Sequence, residues 1–214
     1  LAAIVSLMKR VRVLAAGLMA LIAAACGGAS AANAQQYRGV EIDPQGLIRP
    51  ALLQSALASY ERHASSRLRS NVIAIADFAQ RSSARRFYIV DLQTGAVTPM
   101  LVAHGKGSDP NHDGVADRFS DAAGSHASSL GAYRAAARYQ GGHGLSLALD
   151  GLDPGNRNAR SRAIVVHSNW YVSDQAARAN GKIGRSYGCF VVDRAKIGDV
   201  VRRLEGGGFL YAGR

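Results

Sequence analysis

Residues 72–78, "VIAIADF", are followed by Arg86-Phe87-Tyr88-Ile89-Val90-Asp91-Leu92 and by Val97-Thr98-Pro99-Met100-Leu101-Val102-Ala103. Each run is shorter than an ordinary helix, is rich in β-branched, aromatic or aliphatic residues, and is bounded by turn formers. Each therefore reads as a β-strand. Gln93-Thr94-Gly95-Ala96 joins the last two as a hairpin. Further along, "GLSLALD" (144–150), "AIVVHS" (163–168) and "GFLYAG" (208–213) repeat the pattern.

Outward from these strands the period changes. Residues 46–60 carry apolar groups at helical spacing and read as one amphipathic helix, and Arg194 to Glu205 reads as a short C-terminal helix stopped by three glycines. Strands and helices do not alternate as βαβ units require. The expected class is mainly β: a predominantly antiparallel sandwich or barrel with an N-terminal helix and a short C-terminal helix. The stretch 104–143, rich in Gly, Ser, Asp and His, reads as long loops of the kind that carry function.

The beginning of the chain has another character. Lys9, Arg10 and Arg12 precede an apolar run from Val13 to Ala25 that is too short to span a bilayer comfortably, and Ala32-Asn33-Ala34 fits a small-residue cleavage site. The expected organisation is a cleaved signal peptide at 1–34, a linker (polar over 35–43) and N-terminal helical segment at 35–71, and a catalytic domain at 72–214. Cys26 stands in a weak lipoprotein box, the one route by which the exported chain would be tied to a membrane. Of the formal net charge of +11, three positive charges sit in the leader, which leaves eight on the exported part. An exported basic domain faces polyanionic wall polymers and lipid head groups, so a nucleic-acid partner is not expected.

With Cys26 in the leader or lipidated, Cys189 has no partner for a disulfide. It lies in Gly184-Arg185-Ser186-Tyr187-Gly188-Cys189-Phe190. A glycine before the thiol lets backbone N–H groups turn toward an incoming carbonyl oxygen. A thiol needs a base to act as a nucleophile near neutral pH. His167, at the end of the apolar strand 163–166, is the best base, and Arg185 adds positive potential. On these residues alone, a buried small thiol beside a strand-end histidine remains an open reading.

Other chemistries fit less well. Gly184 to Gly188 satisfies G-x-S-x-G, with Ser186 as nucleophile, but no histidine follows His167 to complete that triad. Papain-like enzymes place cysteine before histidine, opposite to the order here. His104, His112, His126 and His143 are irregularly spaced, so no metal is expected. Asp109 to Asp117 imitates a calcium loop, yet Ser120 stands where its bidentate glutamate belongs, and a turn-rich loop is the preferred reading.

The segments "FYIVDLQTGAV", "VAHGKGSD", "FSDAAGSHASSLGAY", "YQGGHGLSLALDGLDPGNRNARSRAIVVH" and "GRSYGC" resemble the murein L,D-transpeptidase catalytic domains, a branch of the YkuD-like cysteine transpeptidases, over about residues 72–212. The resemblance implies a cysteine acyltransferase acting on peptidoglycan stem peptides without a cofactor. Cys189 would be the nucleophile and His167 the base. The N–H groups of Tyr187, Gly188 and Cys189 would form the oxyanion hole, Ser186 would shape the elbow, and Arg185 and Ser168 would help position substrate. Three residues depart from the family pattern: Tyr187 replaces a common histidine, Ser168 a glycine, and Val191 a frequent arginine or asparagine. The acceptor is left open among a second stem, water and a protein lysine, as is a non-catalytic wall-binding role for the same fold.

Overall fold

The computed structural model describes residues 35–68 and 71–214; the leader and Cys26 lie outside them. The chain forms β1 (Gln35–Tyr37), β2 (Val40–Ile42), α1 (Pro50–Arg62), β3 (Val72–Asp77), β4 (Phe87–Asp91), β5 (Val97–Met100), β6 (Gly131–Gly141), β7 (Gly144–Gly151), β8 (Val165–Ser168), α2 (Asp174–Asn180), β9 (Phe190–Val192), α3 (Ile197–Leu204) and β10 (Phe209–Gly213). Eight strands make one sheet in the order β5-β4-β3-β10-β6-β7-β8-β9. All neighbours are antiparallel except β10–β3 and β8–β9, which are parallel.

Alternation along the strands divides the core in two. On one face Ala74, Phe87, Tyr133, Leu147, Val166, Phe190 and Leu210 gather in a single cluster with Val200, Val201 and Leu204 of α3. Phe87 lies toward one end of the sheet and Phe190 at the other. Both reach the same cluster because the sheet folds over on itself, and the two halves then face each other as in a sandwich. Phe78 and Phe190 stack with ring centroids 5.9 Å apart, closing the contact.

The other face is covered by α1. Pro50 opens this helix, where its missing N–H costs nothing, and Leu52, Leu53, Ala56, Leu57 and Tyr60 form its buried stripe. They pack on Ile73, Ile75, Tyr88, Val90 and Phe209. Arg49, just ahead of the helix, grips Asp77 at the end of β3 through two hydrogen bonds of 2.8 Å, which fixes the entry of the helix onto the sheet.

Two local expectations are corrected, and one element was not expected. Residues 35–42 are not only linker: β1 and β2 pair in an antiparallel ribbon beside α1. The region 104–143 is not loop throughout, because β6 occupies its last part and pairs with both β7 and β10. Its sequence, "GAYRAAARYQG", hides the strand, since alanines and arginines replace the β-branched residues by which strands are read. The short helix α2 has no buried residue and so no apolar period to betray it.

Candidate functional site

β8 and β9 lie side by side in parallel with His167 opposite Val191, so the loop before β9 lies beside the start of β8, close to His167 in the ladder. The segment 103–106 pins that loop from its other side. Ser186 N–H donates to His104 O at 2.9 Å, Lys106 N–H to Ser186 O at 2.8 Å, and Ala103 N–H to Val191 O at 2.9 Å. A cleft of about 300 Å³ opens here, lined by His143, His167, Asn169, Tyr171, Arg185, Ser186, Tyr187 and Cys189.

The loop turns sharply at Gly188, whose φ of +112° is costly for any residue with a side chain. A Cβ at this position would stand 2.7 Å from Ala127 O and 3.1 Å from Arg162 Nη2, so the turn demands glycine twice over. Ser186 Oγ braces the turn from within, donating to Cys189 O at 2.7 Å and accepting from Gly188 N–H at 3.1 Å. The Ser186 hydroxyl is thus committed to the loop on both sides. The Gly188 N–H, expected in the oxyanion hole, is already spent on Ser186.

Cys189 Sγ lies 3.6 Å from Ala163 O, to which it donates. Ala163 itself holds a φ of +54°, uncommon for a residue with a side chain and a local strain at the site. Burial pushes the thiol above its ordinary value; a hydrogen bond from the Val165 backbone and the charge of Arg162 pull the other way. Burial likewise holds His167 below its ordinary value, opposed by the Ser168 carbonyl and assisted by His143. Both groups therefore favour their neutral forms at rest. His167 Nδ1 donates to Ser168 O at 3.1 Å, which leaves Nε2 as the unprotonated nitrogen of the neutral ring.

The remaining predicted residues take other places. Ser168 contributes its backbone carbonyl, so the change from glycine to serine leaves this function intact. Arg185 lines the cleft, but its guanidinium donates to Asp109 O. Tyr187 is 63% exposed. Its ring stacks on His126 with centroids 4.3 Å apart, and Lys106 Nζ sits 4.4 Å from its centroid.

Two residues of the site were missed in the sequence. Arg162, rather than Arg185, is the cation that acts on Cys189, and it is held by Ala127 O, Ser120 O, Ser129 Oγ and Asp121. His143, at the tip of the β6–β7 hairpin, stacks on His167 with centroids 4.3 Å apart and an interplanar angle of 19°. The turn-forming glycines around "GGHG", between two strands, were the signal that it stands on a tip.

The calcium-like loop is held by its own hydrogen bonds. The buried Asp109 carboxylate accepts from Asp113 N–H at 2.9 Å and Gly114 N–H at 3.0 Å and meets His104 Nε2 at 3.1 Å; Asp113 accepts from Val115 N–H and Asn111. Among the described residues no group of three or more His, Cys, Asp or Glu is placed to hold a metal ion.

A family model of the L,D-transpeptidase catalytic domain matches residues 45–212, most of the chain. The chain belongs to this family. Solved L,D-transpeptidases with a similar arrangement include LdtMt1 in complex with imipenem, with a TM-score of 0.42 and 14% identity over 67% of this chain and 59% of that one. An L,D-transpeptidase from Mycobacterium smegmatis gives 0.40 and 13% over the same shares. The helical cell-shape-determining protein Pgp2 from Campylobacter jejuni gives 0.38 and 13%, over 68% and 48%. The chain thus spans about 59% of the length of the first two. No curated protein matches it.

Proposed function

We propose that this protein is a cysteine L,D-transpeptidase of the cell envelope that acts on the stem peptides of peptidoglycan. The observation that carries the reading is the single cleft into which Cys189 and His167 both open, with the far nitrogen of the imidazole tied back to a carbonyl. Family membership supports peptidoglycan as the substrate. Among the described residues no helix is long and apolar enough to cross a membrane.

Because burial favours a neutral thiol and a neutral imidazole, the pair acts by general base catalysis and not as a standing ion pair. His167 Nε2 takes the thiol proton as sulfur attacks the carbonyl carbon of the third stem residue, a diamino acid. The carbonyl oxygen gains negative charge, met by the N–H groups of Tyr187 and Cys189, the two that Ser186 does not occupy. The bond to the terminal D-alanine then breaks. Its nitrogen takes the proton from the imidazolium, and a thioester remains on Cys189. In the second half an amine attacks the thioester, His167 accepts a proton from it, and the sulfur leaves and recovers that proton. Arg162, behind the elbow, steadies the sulfur's negative charge as it forms and departs.

The test uses the purified protein and a disaccharide-tetrapeptide. Intact mass should show one acyl group on Cys189 with release of D-alanine, and Cys189→Ala should abolish both while its circular dichroism stays that of the parent. The second product names the acceptor: a cross-linked dimer for an amine, a tripeptide for water. Release of D-alanine by Cys189→Ala would overturn the acyl-enzyme.

A further inference from the structure

Gly141 pairs with Gly144 across the end of the β6–β7 hairpin, so the connection is the two residues Gly142 and His143. Neither turn residue has a positive φ, whereas Gly144 after them has one of +76°, the pattern of a type I turn closed by a glycine bulge. The exposed tip lays the His143 ring on that of His167. His167 itself is 3% exposed. An exposed hairpin tip thus ends on the face of a buried base, inside the cleft that holds the nucleophile.

Stacked imidazoles at this distance are sensitive to charge, since a proton on either ring raises the cost of a proton on the other. The other groups that face the cleft are Cys189, Tyr187 and Arg185 from the elbow and Tyr171 and Asn169 from the segment after β8. None of them is a carboxylate that would favour a doubly charged pair. Arg185, the one permanent cation among them, works in the same direction as a protonated neighbour.

We propose that His143 is a positioning residue of the acyl-transfer site, its stacked ring holding the His167 imidazole in the cleft and barring a second proton from the pair. The inference rests on the acyl-transfer reading and adds a residue to it. When His167 takes the thiol proton, His143 must be neutral, and the flat neutral ring then lies against the imidazolium through the life of the intermediate. A proton on His143 would disfavour proton uptake by its neighbour, whether that proton came from solvent or from the thiol.

Two substitutions separate the parts of this role. His143→Phe keeps an aromatic face on His167 and removes the ionisable group; His143→Ala removes both. In the Cys189→Ala background, the His167 ring is titrated by NMR. With Cys189 present, the rate of thiol alkylation by iodoacetamide is followed against pH. In His143→Phe the His167 midpoint should rise by roughly half a unit, a modest shift because the hairpin tip is exposed and solvent screens it. The alkylation rate at pH 8 should stay within about twofold of the parent, since the stack is kept. In His143→Ala that rate should fall roughly tenfold, as expected for a base that has lost its fixed orientation. Identical His167 midpoints in the parent and in His143→Phe overturn the proposal. Neither readout needs a stem peptide. Unchanged midpoints alongside intact turnover on stems therefore count against the ring pair alone, whereas a shifted midpoint without any turnover counts against the transpeptidase reading.

Discussion

His104 and His167 are both buried, at 1% and 3% exposure, and burial is the leading cause that holds both below the usual histidine value. They differ in how their nitrogens are used. His104 Nδ1 meets Arg86 Nη2 at 2.7 Å and its Nε2 meets Asp109 at 3.1 Å. Because an arginine can only donate, Nδ1 must accept, and the proton sits on Nε2 toward the carboxylate. His167 uses Nδ1 alone and presents the other nitrogen to a cleft. Low exposure therefore does not tell the two histidines apart; the use of their ring nitrogens does. The two are also linked, since the His104 carbonyl receives the Ser186 N–H and the Asp109 carbonyl receives Arg185. The spent histidine is part of what holds the loop for the unspent one.

The comparison can be broken in order of expected size. His167→Ala should slow acylation of Cys189 by roughly 10²–10⁴-fold with little change in stability, as measured by single-turnover mass spectrometry. A loss of stability instead of rate would make His167 another His104. Conversely, His104→Ala should lower the unfolding free energy by roughly 2–4 kcal/mol in a denaturant titration, because Arg86 and Asp109 each lose a partner in a fully buried site. Its effect on acylation should be the smaller one, transmitted only through the backbone of the loop.

The smallest and most discriminating effect is in pH. Burial, with the Arg86 charge beside it, pushes His104 down to about 4 from an unfolded value of 6.5. Between those values the unfolded chain binds a proton that the folded protein refuses. Stability from this group is thus full above 6.5, falls as pH falls through the window, and levels off below about 4; the total is at most roughly 3 kcal/mol. Asp77, lowered by its partners Arg49 and Gln80 against the opposing effect of burial, loses stability in the same acid direction. Denaturation curves at several pH values should show this slope in the parent and a flatter one in His104→Ala. Equal slopes would remove His104 as its source.

The sequence made the strands legible where β-branched and aromatic residues alternate, as at Val72–Asp77 and Phe87–Asp91, and hid β6 where alanine and arginine take their place. Cys189 and His167 could be paired because glycine, thiol and strand-end histidine each have a local chemical meaning. Arg162 and His143 could not, because what makes them part of the site is reach across space. Arg162 comes to the elbow from the loop before β8, and His143 from a hairpin tip. Nor could the pattern of residues show that Ser186 had already claimed the Gly188 amide, since that depends on a rotamer in a turn. The parallel pairing of β10 with β3 was equally invisible, as each strand alone carries no sign of its neighbour's direction.

That pairing orders the assembly of the molecule. Among the described residues β10 is the only strand hydrogen-bonded to both β3 and β6, and it joins the group β5-β4-β3 to the group β6-β7-β8-β9. It follows every other strand in the chain. A chain made from its N-terminal side must therefore reach Phe209–Gly213 before its two half-sheets can be stitched together. Until Phe209–Gly213 arrives, their inner edges stay open to pairing with any other strand, which leaves the nascent chain in need of shelter from its neighbours.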